Sequence, residues 1–186
     1  MSDLRVAAGP FLEEAERFQC WARMSGGAGG VDARHALLRI SQLYIAALTL
    51  PSASNDGVSE THSSVNDTEW RTVFDYASQL PVRNYGVVFD PLTVPAEEPV
   101  VGDLADDIAD IYRDVVTGLR EYAAGRYANA VWEWAYGFRH HWGDHATAAI
   151  RTLHAWLAAN EPDHLSLPKE QAACSTASEL NGRQDG

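Results

Sequence analysis

Four aspartates and two histidines are the residues best placed to do chemistry in this chain. Asp103, Asp107, Asp110 and Asp114 follow one another at intervals of 4, 3 and 4 residues, and His141 and His145 stand 4 apart further along. On a helix the acid spacing makes one narrow stripe, in which like charges repel. Within that helix only Arg113 is placed to offset them, through Asp110, so the stripe calls for cations from elsewhere. One reading is an oxygen-rich divalent site for Mg, Mn or Zn, finished by imidazole and able to polarise a phosphoryl oxygen or activate water. The other is a partly buried salt-bridge network in which Arg113, Arg139, Arg151 and the histidines neutralise the acids. Asp103 also suits a helix N-cap, with Asp106 and Asp107 in the first turn where the helix dipole favours negative charge. Carboxylates at helix starts are common for that reason alone, which favours the network. DDIAD matches the DDxxD pattern of prenyl-diphosphate enzymes, but those need a second acidic motif and a larger helical cavity.

Two helices must position these groups. Leu104, Ile108, Ile111, Val115, Leu119 and Tyr122 give the acid-bearing helix its apolar face, and Gly125 supplies a tight stop. The next helix starts at once, with Tyr127, Val131, Trp134 and Phe138 on its buried stripe, so the two form an antiparallel hairpin. Counting outward from Gly125 at equal rise sets Asp110 level with His140, Asp107 with Gly143 and Asp106 with Asp144. The acid stripe and the histidine cluster therefore share one end of the hairpin. A continuous helix would give His141 and His145 the i, i+4 spacing of paired metal ligands. Ala146, Ala149, Ile150, Leu153 and Leu157 are turned by roughly a quarter turn from the earlier stripe, however, as a break at Gly143 would produce. Asp144 is then a candidate cap for a sixth helix.

Elsewhere, helical spacing covers about residues 10 to 24 and 32 to 50, the latter capped by Asp32, burying Leu37, Ile40, Tyr44, Ala47 and Leu48 and ended by Pro51. Residues 52 to 65 are too polar to offset the entropy of ordering and predict a mobile loop. Asn66 and Glu69 make a capping-box variant before a helix that stops near Pro81. Pro81, Pro91, Pro95 and Pro99 forbid a long helix in 81 to 101 and predict an extended segment across the bundle. The sum is an all-α single domain over 1 to 160, a bundle of five or six helices with that one extended segment, and a largely flexible tail over 161 to 186.

Bulk properties narrow the partners. With 186 residues, 26 acidic against 14 basic side chains and a net charge of -12, the chain is repelled by phosphate backbones and anionic lipid surfaces. Neither nucleic acid nor membrane is expected as a partner. Cys20 and Cys174 are the only cysteines and lack CxxC spacing, and the acidic start MSDLRVAAGPFLEEAERF has no signal-peptide core, so a cytoplasmic location is expected. Arginine outnumbers lysine, of which Lys169 is the single example, a bias typical of GC-rich bacterial genomes. Trp132, Trp134 and Trp142 suit a packed core better than a ligand-stacking wall. No Gly-rich phosphate loop, nucleophile elbow or Cys/His dyad stands in the chain, so no cofactor is called for, and a divalent metal is the one left open by the acid stripe.

The segments GDLADDIADIYRDVVTGL, WEWAYGFRHHWGDHA, ISQLYIAALTLP and YGVVFDPL, in their order along residues 8 to 158, resemble the bacterial domain-of-unknown-function family 5063. The resemblance implies an all-helical fold and no particular reaction. The function expected is a noncatalytic binding or regulatory one toward a protein or small-molecule partner, with homo-oligomerisation open. The competing expectation is a divalent-metal-dependent hydrolase of a small phosphorylated or nucleotide-like ligand. In it Asp107, Asp110 and Asp114 hold the metal, His141 or His145 completes the shell or acts as acid/base, and an arginine binds the phosphate.

Overall fold

The chain's hydrophobic periodicities close into helices largely where they predict them. A computed structural model describes residues 4–23, 31–54, 64–88 and 90–161. In chain order these form α1 (Leu4–Ala7), α2 (Gly9–Ala22), α3 (Ala33–Ala47), α4 (Asp67–Ala77), β1 (Asn84–Val87), β2 (Val100–Asp103), α5 (Leu104–Ala123), α6 (Tyr127–His140) and α7 (Trp142–Asn160). The single-turn α1 is an element the sequence pattern does not announce. The expected break at SGGAGG, most of the 52 to 65 loop, Cys174 and the tail beyond Glu161 lie outside the described residues. Among the described residues no helix is long and apolar enough to cross a membrane.

The caps follow the local chemistry. Asp32 accepts from the backbone N–H groups of Arg34 and His35, and Asn66 and Glu69 complete a reciprocal capping box at the start of α4. Asp103 caps α5 through the Ala105 N–H. Gly125, at φ 79°, turns the chain from α5 into α6.

Helix α5 is the centre, packed against α2, α4, α6 and α7. Its predicted face, Leu104, Ile108, Ile111, Val115 and Leu119, is buried, and so are Ala105, Ala109, Tyr112 and Val116 on the adjoining side. Neighbours on several sides explain the wider buried face. Trp134 and Trp142 are fully buried, each worth at least the 1.5–3 kcal/mol typical of a large apolar side chain, as an order of magnitude. Their indole N–H groups are satisfied by the carbonyls of Val115 and Trp134, at 2.9 and 3.1 Å. Trp132 instead stacks on Tyr136 along the outer face of α6. In α3 the buried stripe is Ala36, Ile40, Leu43 and Ala47, whereas Leu48 is exposed. Of the predicted face Ile40 and Ala47 are buried and Leu37 and Tyr44 pack against the core, while Leu48 lies beyond the end of α3 at Ala47 and faces solvent.

The segment from 81 to 101 is not simply laid across the bundle. Strands β1 and β2 pair antiparallel, with Asn84 opposite Asp103 and Val87 opposite Val100, so the chain folds back on itself. An extended chain satisfies its own backbone groups this way, and Pro91, Pro95 and Pro99, which lack an N–H, fall outside the ladder. Between the strands, Leu92 and Val94 are nearly fully exposed. At its base the Leu104 N–H donates to the Arg83 carbonyl at 2.8 Å and fixes the hairpin to the start of α5.

The helix break near the histidines falls at His141, two residues before Gly143. His141 leaves helical geometry at φ -150°, ψ -83° and serves as both the end of α6 and the N-cap of α7. Gly143 has a different task. A Cβ there would lie 2.1 Å from the Phe138 carbonyl oxygen, so only glycine lets the first turn of α7 close over the last turn of α6. Asp144 lies in the first turn of α7 and makes no side-chain cap.

Candidate metal centre

The hairpin of α5 and α6, extended by α7, brings acids and histidines together at one end. His145 Nδ1 stands 2.7 Å from Asp107 Oδ1, and His141 Nδ1 stands 2.8 Å from Asp114 Oδ2. An ionised carboxylate can only accept, so in both pairs the imidazole Nδ1–H donates. The free lone pair of each neutral ring is then on Nε2. His145 Nε2 lies 3.9 Å from Asp110 Oδ2, beyond hydrogen-bonding range. The other oxygen of Asp110 is already held: Trp70 Nε1 donates to Oδ1 at 2.7 Å, and Arg113 lies 3.2 Å from the same atom.

The two rings meet edge to face with centroids 4.9 Å apart. Asp110, His141 and His145 each offer one ligand atom within 4.8 Å of the others, a set suited to a metal ion. Two imidazoles and one carboxylate are borderline donors that favour Zn, Mn or another first-row ion over Mg, which prefers oxygen and water. Metal-bound histidines commonly donate their second nitrogen to a carboxylate, which fixes the tautomer and aims the ring. Asp107 and Asp114 stand in that relation to His145 and His141.

Not every acid of the stripe belongs to the cluster. Asp103 caps α5 and pairs with Arg83 at 3.0 Å, on the hairpin side. Asp107, buried to 5% exposure, has both oxygens engaged, since Oδ2 accepts from the Tyr85 phenol at 2.5 Å. The arrangement expected from sequence, with Asp107, Asp110 and Asp114 as joint ligands, thus separates into one carboxylate that faces the histidines and two that orient them. The count from Gly125 puts acids and histidines at the same end, but only Asp107 keeps its level to within a turn, meeting His145 rather than Gly143; Asp110 faces His145 and Asp114 meets His141, each more than a turn from its counted level.

The electrostatics favour a cation. Burial and the neighbouring Asp110 and Asp107 raise the Asp106 carboxyl above its ordinary range. The hydrogen bond to Asp107 raises the His145 imidazole against the opposing effect of burial, with the charges of Asp107, Asp110 and Asp106 adding to it. Burial, then the Asp107 hydrogen bond, pushes the Tyr85 phenol far up, so it remains an O–H donor. A proton on His145 and a metal on the same ring are alternative ways to neutralise the cluster.

Trp70 and Tyr85 are the contributors that periodicity does not reveal. Trp70 reads as an amphipathic-helix residue, and only its polar N–H hints at a partner. An open groove lined by Trp70, Arg71, Asp75 and Arg113 does not include the histidines.

The family described as a domain of unknown function (DUF5063) matches residues 11–159. The chain belongs to this family. The match spans α2 to α7 and includes every residue of the cluster. The crystal structure of protein BF1032 from Bacteroides fragilis is similar in fold, with a TM-score of 0.68 over 89% of this chain and 100% of that one. At 18% identity that likeness speaks for the fold alone. No curated protein matches the chain.

Proposed function

We propose that this DUF5063 protein is a noncatalytic binding or regulatory module whose working part is a divalent-metal site made by Asp110, His141 and His145. One observation carries this reading: each of the three side chains has its second polar atom held by a named protein group. Trp70 and Arg113 hold Asp110 Oδ1, Asp107 holds His145 Nδ1 and Asp114 holds His141 Nδ1. Such preorganisation is what a metal site needs, because it leaves one ligand atom free per side chain and spares the cost of ordering on binding. The noncatalytic reading is supported by the use made of the acids. Asp107 and Asp114, the carboxylates that could serve as a general base, are spent on orientation.

A second reading, a metal-dependent hydrolase of a small phosphorylated or nucleotide-like ligand, is favoured by Arg113 beside Asp110 and by the positions that three protein ligands leave open for water. Metal analysis of the purified full-length protein, followed by Zn2+ and Mn2+ titration, tests the site. Absence of metal and no binding of either ion, in wild type as in His145→Ala, would remove it. Metal-dependent release of phosphate in a substrate screen, lost in His145→Ala, would put the hydrolase first.

A further inference from the structure

We infer that Tyr85 is a positioning residue for the metal site and that through it the β-hairpin and the metal centre are thermodynamically linked; this rests on the metal-site reading above. Tyr85 is no ligand and belongs to β1, yet it reaches Asp107 on α5. Its path is built into the hairpin. The residue opposite Tyr85 in the ladder is Gly102, and a Cβ there would lie 2.5 Å from Tyr85 Cζ and 2.8 Å from its hydroxyl oxygen. The ring therefore crosses β2 at the one register position that has no side chain to obstruct it.

The consequences run inward and outward. Inward, the phenol holds Asp107 Oδ2 at 2.5 Å, which leaves Oδ1 to receive the His145 Nδ1–H at 2.7 Å. Without the phenol, the carboxylate is free to turn about its terminal bond, and the ring it steers loses its fixed direction. Outward, β2 runs directly into α5, and Tyr85 with the Arg83 carbonyl to Leu104 N–H bond ties β1 to the same helix. Metal that rigidifies His145 and Asp107 must then also hold the hairpin closed. By reciprocity, anything that grips the hairpin shifts metal affinity by the same factor.

The test uses the full chain and Co2+ as a spectroscopic probe, with Zn2+ for exchange measurements. Tyr85→Phe, which removes one oxygen, is expected to weaken Co2+ binding about tenfold, the lower end of what losing such an orienting partner costs. Its metal-free melting temperature and circular dichroism report separately on folding. In the wild type Zn2+ is expected to slow backbone hydrogen exchange in 84–87 and 100–103, and in Tyr85→Phe this protection is lost. Gly102→Ala, which keeps the hydroxyl but displaces the ring, should reproduce the affinity loss. If Tyr85→Phe keeps wild-type Co2+ affinity and metal-dependent protection, the inference is overturned while the metal site stands. If the wild type binds neither ion, both fall. Should both variants fail to fold, the wild-type exchange pattern decides alone: no Zn2+-dependent protection of the hairpin overturns the link.

Discussion

Trp70 and Asp110 are joined across the α4–α5 interface, the indole N–H donating to Oδ1 at 2.7 Å and so deciding which oxygen of the carboxylate faces the histidines. Trp70→Phe preserves a ring to stack on Phe74 but removes the donor. A hydrogen bond to a charged acceptor is worth about 1.5–3 kcal/mol, so denaturant melts should show a loss near the lower end of that range. Zn2+ affinity should fall with it, measured by competition with a chromophoric chelator. Unchanged affinity in a folded variant would mean that Asp110 needs no help to present Oδ2.

The two histidines should separate stability from metal binding. His145 is 26% exposed and sits on buried Asp107, whereas His141 is 46% exposed. Without metal, His145→Ala strands a buried carboxylate and should cost about 1–3 kcal/mol, while His141→Ala should stay within about 0.5 kcal/mol of wild type. Both should abolish tight metal binding. Equal stability losses in urea titrations would contradict the different roles of Asp107 and Asp114.

Opposite pH dependences are expected from His35 and His145 in metal-free protein. Burial, then the charge of Arg39, lowers His35 below its ordinary 6.5, and Arg39 Nε donates to its Nε2, which requires a neutral ring. Its contribution is full above 6.5 and is lost as pH falls through the lowered folded value. His145 is raised above 6.5, so its contribution is full below 6.5 and is lost as pH rises through the raised folded value. The stability gap between wild type and His145→Gln should narrow with rising pH, and the gap to His35→Gln should widen. Parallel pH profiles for the two variants would refute the assignment.

Metal and proton compete for His145, so Zn2+ affinity should climb as pH rises through the raised folded value of that ring. Added Zn2+ at about 100 times its dissociation constant should stabilise the fold by about 2.7 kcal/mol, and chelator should reverse the shift. Mg2+ should shift the melting temperature little, given two nitrogen ligands. Calorimetry with each ion at two pH values checks both statements.

The exposed hairpin tip separates partner binding from folding. Asp90 fixes the tip by accepting from the Leu92 N–H and the Thr93 hydroxyl, at 2.9 and 2.7 Å, while Leu92 and Val94 stand free of the core. Leu92→Ser with Val94→Ser should therefore change stability by no more than about 0.5 kcal/mol per site. If the protein works through a partner at this tip, co-purification of that partner should be lost. Retention of a partner by the double variant would move the contact elsewhere.

Much of this architecture is legible because it is locally encoded. Asp32, Asn66 and Asp103 announce helix starts through their own side chains, and the α5 stripe from Leu104 to Leu119 is a simple period. Even the meeting of Asp107 with His145 follows, to within a turn, from counting residues on either side of Gly125, whereas that of Asp114 with His141 does not. What is illegible depends on contacts between distant segments. Nothing near Tyr85 indicates that its strand pairs with residues 100–103, because their twelve-residue separation carries no turn signal of hairpin type. Which acids face the histidines and which steer them turns on single oxygens, well below the resolution of helical spacing. Gly143 is the instructive case: it marks the join of α6 and α7, yet its role is to admit the Phe138 carbonyl, and the break itself falls on a histidine.

Because His141 alone joins α6 to α7, the length of this connection is as constrained as its composition. One residue added there would rotate everything after it by about 100° about the helix axis. His145 would swing away from Asp107, and Ala146, Ala149 and Leu153 would leave the core together. Substitutions at the joint can be judged one side chain at a time, but an insertion or deletion would dismantle the cluster and the packing of the last helix in a single step.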